Sequence, residues 1–171
     1  MGQTWLYLFL FAWAAYVAAN AIKIVPQGYE YTVERLGQFT RTLKPGIAVL
    51  TPFVEVVRRR VNMAEQMAEA PRLHLVTQDH SNVTAAVVMF MQVTDAAVAA
   101  YATANLNVAV SQLASTRLRA AVGASSLDEV LTQPDVVNAR LMEGVEQATS
   151  LWGVKINRLE IKDPQAASPA V

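Results

Sequence analysis

The sequence predicts an α+β fold led by an apolar N-terminal helix. Three observations lead there. The run from Trp5 to Ile22 carries no charge. The next stretch, to about residue 95, alternates polar and apolar residues between turn signals. The period then changes to helical spacing and closes on one strand. Strands first and helices second is the α+β order. The expected parts are a membrane anchor over 1–23, a β-rich part over 24–95, an α/β part over 96–163 and a disordered tail over 164–171.

The apolar run comes first in the chain. Its 18 residues would make a helix about 27 Å long, close to the roughly 30 Å hydrocarbon thickness of a bilayer. Leu6, Leu8, Phe9, Leu10, Phe11 and Val17 each favour insertion by about 0.3–0.6 kcal/mol. With Trp5, Trp13 and Tyr16 they are the candidate anchor residues. Trp5 and Tyr7 suit an interfacial belt, and Asn20 lies near the other interface. Three other readings stand beside a spanning anchor. Ala19-Asn20-Ala21 has the form of a signal-peptide cleavage site, although no Lys or Arg precedes the run, and cleavage would give a secreted soluble domain. A buried core helix would show one apolar stripe, and this run is apolar all round. A membrane hairpin would need a turn, and no central Pro or Gly supplies one. Lys23, Arg35 and Arg41 follow the run, so the positive-inside rule predicts an outside N-terminus and a cytoplasmic domain on a single-pass anchor.

The 14 basic and 14 acidic residues balance, so nothing indicates a nucleic-acid partner. The absence of Cys excludes disulfides, thiol catalysis and Cys-ligated metals.

The β-rich part opens at Pro26-Gln27-Gly28, a turn. Tyr29–Arg35 reads as a strand, Leu36-Gly37-Gln38 as a turn and Phe39–Thr42 as the return strand. Lys44-Pro45-Gly46 turns into a strand over 47–50, which Thr51-Pro52 ends. Residues 54–70 read as one long extended segment. Residues 72–77 and 83–94 form a hairpin about Gln78–Asn82, and the second of these strands is apolar on both faces, as a central, covered strand would be. Leu106, Val110, Leu113, Ala114, Leu118 and Ala121 mark a helix that stops at Gly123. Ser126-Leu127-Asp128-Glu129 is a capping box. Pro134 and Asp135 open a further helix with the stripe Val137, Leu141, Val145, Ala148 and Trp152, ended at Gly153. The closing strand, 154–161, changes face, which predicts a bulge near Arg158.

Chemistry-bearing motifs are sparse. His74 and His80 are the only histidines, neither has a partner at helical spacing, and no metal or cofactor site is expected. There is no nucleophile elbow and no Gly-rich phosphate loop, so no catalytic residue is assigned and the chain is not expected to be an enzyme. Met63, Met67, Met89 and Met91 read as core filler. Arg58-Arg59-Arg60 is the one basic run, and a regular strand would send Arg59 to one side and its neighbours to the other. Solvated or intramolecular pairing, subunit contact and lipid headgroups are its three candidate roles.

An ordered set of short motifs spans residues 22–163. It includes Val25-Pro26-Gln27-Gly28, Val33-Glu34-Arg35-Leu36-Gly37, Pro45-Gly46, Pro52-Phe53, Glu65-Gln66, Leu127-Asp128-Glu129-Val130-Leu131, Asn138-Ala139-Arg140-Leu141, Trp152-Gly153-Val154 and Glu160-Ile161-Lys162-Asp163. The set resembles the stomatin–prohibitin–flotillin (SPFH, band 7) family, most of all the bacterial stomatin-like slipins. The resemblance implies a membrane-proximal β subdomain followed by an α/β subdomain. It also implies a non-enzymatic scaffold that forms homo-oligomeric rings on the membrane, encloses a lipid microdomain and modulates membrane proteases or channels. Apolar loops of the first subdomain would dip into the bilayer, and Leu50, Pro52 and Phe53 are the candidates here.

The chain departs from the family pattern in two respects. Relatives continue from Lys-Asp into a coiled coil, whereas Lys162-Asp163 meets Pro164 and no heptads occur. A regulatory module that forms no cage by itself is therefore the alternative. Charged or Pro positions of the pattern are occupied by Gln78, Ala86, Gln92 and Ala96, and Pro134 stands where a charge is common.

Overall fold

The structure is a computed structural model that describes the backbone of residues 2–166, and their side chains except those of 2–6, 14–15, 18–20 and 163. The chain divides into two compact units, Met1–Met63 and Ala64–Val171.

The first unit begins with α1 (Gly2–Ala21), which passes without a linker into β1 (Ile22–Val25). Pro26 and Gly28 then turn the chain, with the Tyr29 N–H donating to the Pro26 carbonyl and Gly28 at φ 81°. β2 (Tyr29–Arg35), β3 (Gln38–Leu43), β4 (Gly46–Val49) and β5 (Glu55–Asn62) follow. β1 pairs antiparallel with β4, and β3-β2-β5 form a three-stranded sheet. Val25, Tyr31, Val33, Leu43 and Leu50 make the core, flanked by Ala48 and Val57.

The second unit is a β6-β7-β8 antiparallel sheet with helices packed on it. β6 is Gln66–Val76, β7 Asn82–Val93 and β8 Val154–Ala166. Between β7 and β8 lie α2 (Ala96–Ala102), α3 (Leu106–Gly123), α4 (Leu127–Thr132) and α5 (Pro134–Thr149). Val83, Ala85, Val87, Met89, Met91 and Val93 face the helices and are buried. The α3 residues Val110, Ala114 and Leu118 and the α5 residues Val137, Leu141 and Val145 are buried as well. α3 packs on β6 and α5 on β8.

Several expectations are corrected. The division falls at Met63/Ala64 rather than near residue 95. The reason is that β7 pairs with β8 from Val83↔Ala166 to Val93↔Val154, so the β6–β7 hairpin belongs with the helices that cover it. The single extended segment over 54–70 is two strands, β5 and β6, broken at that boundary. β7 is central, but only one of its faces lies under helices. On the other, Glu69 and Lys162 form an ion pair of 3.6 Å from the flanking strands, above a buried Ala86, with Val88 and Phe90 half-buried. Met67 is 63% exposed rather than core, whereas Met89 and Met91 are buried. α2 was not expected; Asp95 caps it by accepting from the Ala97 and Val98 N–H groups. β8 runs on to Ala166, so residues 164–166 of the expected tail are strand, and 167–171 lie outside the described residues.

Candidate membrane-facing surface

α1 is built from Ala, Leu, Phe and other uncharged residues, with nothing acidic in its first turn and nothing basic in its last. Its 20 residues imply a length of about 30 Å. Of the expected anchor residues, Leu8, Phe9, Leu10, Phe11, Trp13 and Tyr16 are exposed and Val17 is half-buried. The side chains of Trp5 and Leu6 lie outside the described residues. Among the described residues no helix is long and apolar enough to cross a membrane.

At its C-terminus α1 is tied to the β unit. The Leu50 N–H donates to the Ala21 carbonyl at 2.7 Å, satisfying a group that a helix end leaves open. The β1–β4 ribbon that follows pairs Ile22 with Val49 and Ile24 with Ile47. Directly opposed residues share a face, so one face of the ribbon is made of four β-branched side chains, exposed by 52, 63, 73 and 78%.

The loop after β4 was expected to present Leu50, Pro52 and Phe53 to the membrane. Leu50 is instead buried in the core with Tyr31 and Leu43, and Pro52 is half-buried. Phe53 alone projects, 83% exposed at φ 67°. A clamp holds the loop in shape. The Glu55 carboxylate accepts from the Thr51 N–H at 2.9 Å and from Arg41 at 3.1 Å, and Arg41 also donates to the Val49 carbonyl at 2.9 Å. The Thr51 N–H, with Arg41 behind it, holds the Glu55 carboxyl below its usual 4.5, against a smaller opposing effect of desolvation.

Sequence reasoning missed a second projecting residue. Arg35 and Gln38 pair across the two-residue turn Leu36-Gly37, and Leu36 is 84% exposed at φ 51°. Hairpin turns of this kind favour Asn, Asp or Gly at that position. Leu36 donates its N–H to the Val54 carbonyl, so this turn and the Phe53 loop share one end of the sheet. The exposed ribbon face was missed as well, although the Ile-Lys-Ile alternation at 22–24 carried its signal.

The Arg run does not alternate as a regular strand would. The register shifts from Thr32↔Arg59 to Val33↔Val57, leaving Arg58 as the extra residue of a bulge. Arg58 reaches Glu34 at 3.7 Å, and the Arg60 guanidinium stacks over the Tyr31 ring at 5.3 Å. In the second unit His74 Nδ1 hydrogen-bonds the Thr84 hydroxyl at 3.0 Å. Among the described residues no group of three His, Asp or Glu side chains is placed to hold a metal.

The SPFH domain / Band 7 family matches residues 23–169, nearly all of the chain beyond α1. The chain belongs to this family. Its SPFH relatives include the mitochondrial stomatin-like protein 2 of Rattus norvegicus, 34% identical over 84% of this chain and 41% of the relative. An uncharacterized protein of Mycobacterium tuberculosis (strain H37Rv) is 34% identical over 90% of this chain and 40% of its own length. One of Methanocaldococcus jannaschii is 33% identical over 93% and 79%. The chain thus spans less than half the length of the first two. The mixed α+β content of the chain is that of an SPFH domain with stomatin-like relatives.

Proposed function

We propose that this SPFH chain is a membrane-anchored scaffold that acts by binding, not by catalysis. In this reading α1 is a single-pass anchor, the domain faces the cytoplasm, and the first unit lies against the bilayer. The protein oligomerises there, gathers lipids and modulates membrane proteins such as proteases or channels. The observation that carries the reading is the direct passage of an uncharged 20-residue helix into β1, in a unit whose exposed surface bears Leu36, Phe53 and the Ile22/Ile24/Ile47/Val49 face. An apolar display of this kind on one small unit supports an interface with lipid or protein.

A regulatory module that forms no cage is the second reading. It is favoured by the state of the sheet edges in the second unit. Ser111 donates to the Glu69 carbonyl on β6, and Asn138 accepts from the Ile161 N–H on β8, so a helix side chain engages a backbone group on each outer strand and makes it a poorer template for pairing.

The test is flotation of the full chain with phosphatidylcholine vesicles after alkaline carbonate washing, with native size measured in mild detergent. Retention with the vesicles supports the anchor, and loss to the wash overturns it. Large uniform assemblies favour the scaffold; one or a few subunits at all concentrations favour the module.

A further inference from the structure

We propose that the first unit carries a binding site for an anionic phospholipid at the point where α1 ends, an inference that rests on the membrane reading above. Two adjoining hollows make the site. One, of about 280 Å³, is lined chiefly by apolar groups of Tyr16, Val17, Leu50, Pro52, Phe53 and Val56, with Glu55 also at its wall. The other, of about 270 Å³, is lined by Lys23, Tyr31, Arg58 and Arg60. Lys23, Val56 and Val57 line both, so the apolar hollow continues into the basic one.

The basic hollow is built by specific features of the fold. Lys23 follows the end of α1 by two residues and sits on β1. Arg58 and Arg60, two positions apart on β5, line one hollow with Lys23. Tyr31 orders Arg60 by cation–π stacking. One carboxylate, Glu34, pairs with Arg58. Among the described residues neither Lys23 nor Arg60 has an acidic partner. Lys23, Arg58 and Arg60 face Glu34 alone in the basic hollow, and Glu55 of the adjoining hollow is already paired with Arg41, so an excess of positive charge remains, which suits an anionic phosphodiester. The mostly apolar hollow beside it, whose Glu55 carboxylate is already engaged by Arg41 and the Thr51 N–H, suits the glycerol ester region and the first acyl carbons. A free phosphate would leave that second hollow unused, so charge and shape together select a phospholipid.

The experiment is native mass spectrometry of the full chain released from detergent micelles doped with phosphatidylglycerol or phosphatidylcholine. The cations close to the headgroup together predict at least about a tenfold excess of phosphatidylglycerol adducts over phosphatidylcholine adducts. In K23Q/R58Q/R60Q the two lipids should be retained equally, whereas Arg119→Gln, on α3, should keep the preference. Equal retention of both lipids by the unaltered chain overturns the proposal, and so does a preference that survives the triple substitution. Millimolar inorganic phosphate that displaces phosphatidylglycerol completely also overturns it, because the site is then an anion site without a lipid component. The measurement is made in micelles, so its failure is separate from failure of the anchor, which flotation with neutral vesicles reports.

Discussion

Leu36 and Phe53 are the two most exposed large apolar side chains among the described residues, and both sit at positive φ. Bulky residues avoid that region, at a cost of order 1 kcal/mol each, and persist there where surrounding structure holds them. For Phe53 the holding structure is the Glu55 clamp, whose carboxylate is stabilised in its charged form by the Thr51 N–H and Arg41. A carboxyl with a lowered folded pKa contributes stability that is fully present above its unfolded value. That contribution is lost as pH falls through the folded value. The Thr51 amide should therefore stay protected from hydrogen exchange from neutral pH down to about 4.5 and lose protection below it. Glu55→Ala should remove the protection already at pH 7. Equal protection in both proteins at pH 7 would show that the loop does not depend on the clamp. Gly153 presents the opposite case, since its residue type and conformation agree. It ends α5 and its 3-10 extension at φ 66°, and a Cβ there would lie 2.9 Å from the Asp95 carbonyl oxygen. Gly153→Ala combines left-handed strain with a clash against backbone and should lower unfolding free energy by about 2 kcal/mol or more, read from urea titration. An unchanged midpoint would mean that the α2 cap can shift freely.

Among the elements, strands with alternating residues and clear turn signals were legible. β2 spans Tyr29–Arg35 as expected, and the bulge expected near Arg158 is real, with Asn157 as the extra residue between Ile156 and Arg158. The Ser126 hydroxyl accepts from the Glu129 N–H as the capping-box reading requires, while the Glu129 carboxylate turns to Arg140 at 3.0 Å. α2 was not legible, because Ala-rich residues 96–102 show no stripe and only Asp95 signals a start. β1 was missed because it is only four residues long and follows the apolar run directly, so that Lys23 is its one polar residue. The Asn138-Ala139-Arg140-Leu141 motif, which carried part of the resemblance, has a physical role in the structure. Leu141 is core, Arg140 donates to the buried Ser125 hydroxyl, and Asn138 accepts from the Ile161 N–H at 3.1 Å. Asn138→Ala would leave that donor without its partner, at a cost of about 1–2 kcal/mol. It would also open β8 as an edge. The expected result is a lower urea midpoint together with size that grows with concentration in light scattering. A lower midpoint without self-association would show that Asn138 stabilises β8 but does not protect its edge.

At the scale of the whole molecule, the family and the fold class were legible because many short motifs occur in one order. The unit boundary was not, because it depends on pairing between β7 and β8 across some 60 residues of intervening chain, which no local pattern encodes. The surface that faces outward from the first unit was only partly legible for a similar reason. Leu50 and Phe53 are equally apolar in the sequence, and only the β unit's core decides which of them is buried. The boundary itself can be tested by cleavage. Ala64 and Glu65 are exposed between β5 and β6, and the Glu65 carboxylate is bound by the Asn157 side chain at 2.8 Å, within the second unit. Glu69 and Glu143, though exposed, lie within β6 and α5, where backbone hydrogen bonds resist local opening. A glutamate-specific protease used briefly should therefore cut first after Glu65. The fragment beginning at Gln66 should retain helical circular dichroism and a cooperative urea transition, because it keeps β6, β7 and β8 with the helices that cover them. A fragment beginning at Ala96 would lack two of the three strands and should not unfold cooperatively. First cleavage after Glu69, inside β6, or a fragment from Gln66 that melts without cooperativity, would move the boundary away from Met63/Ala64.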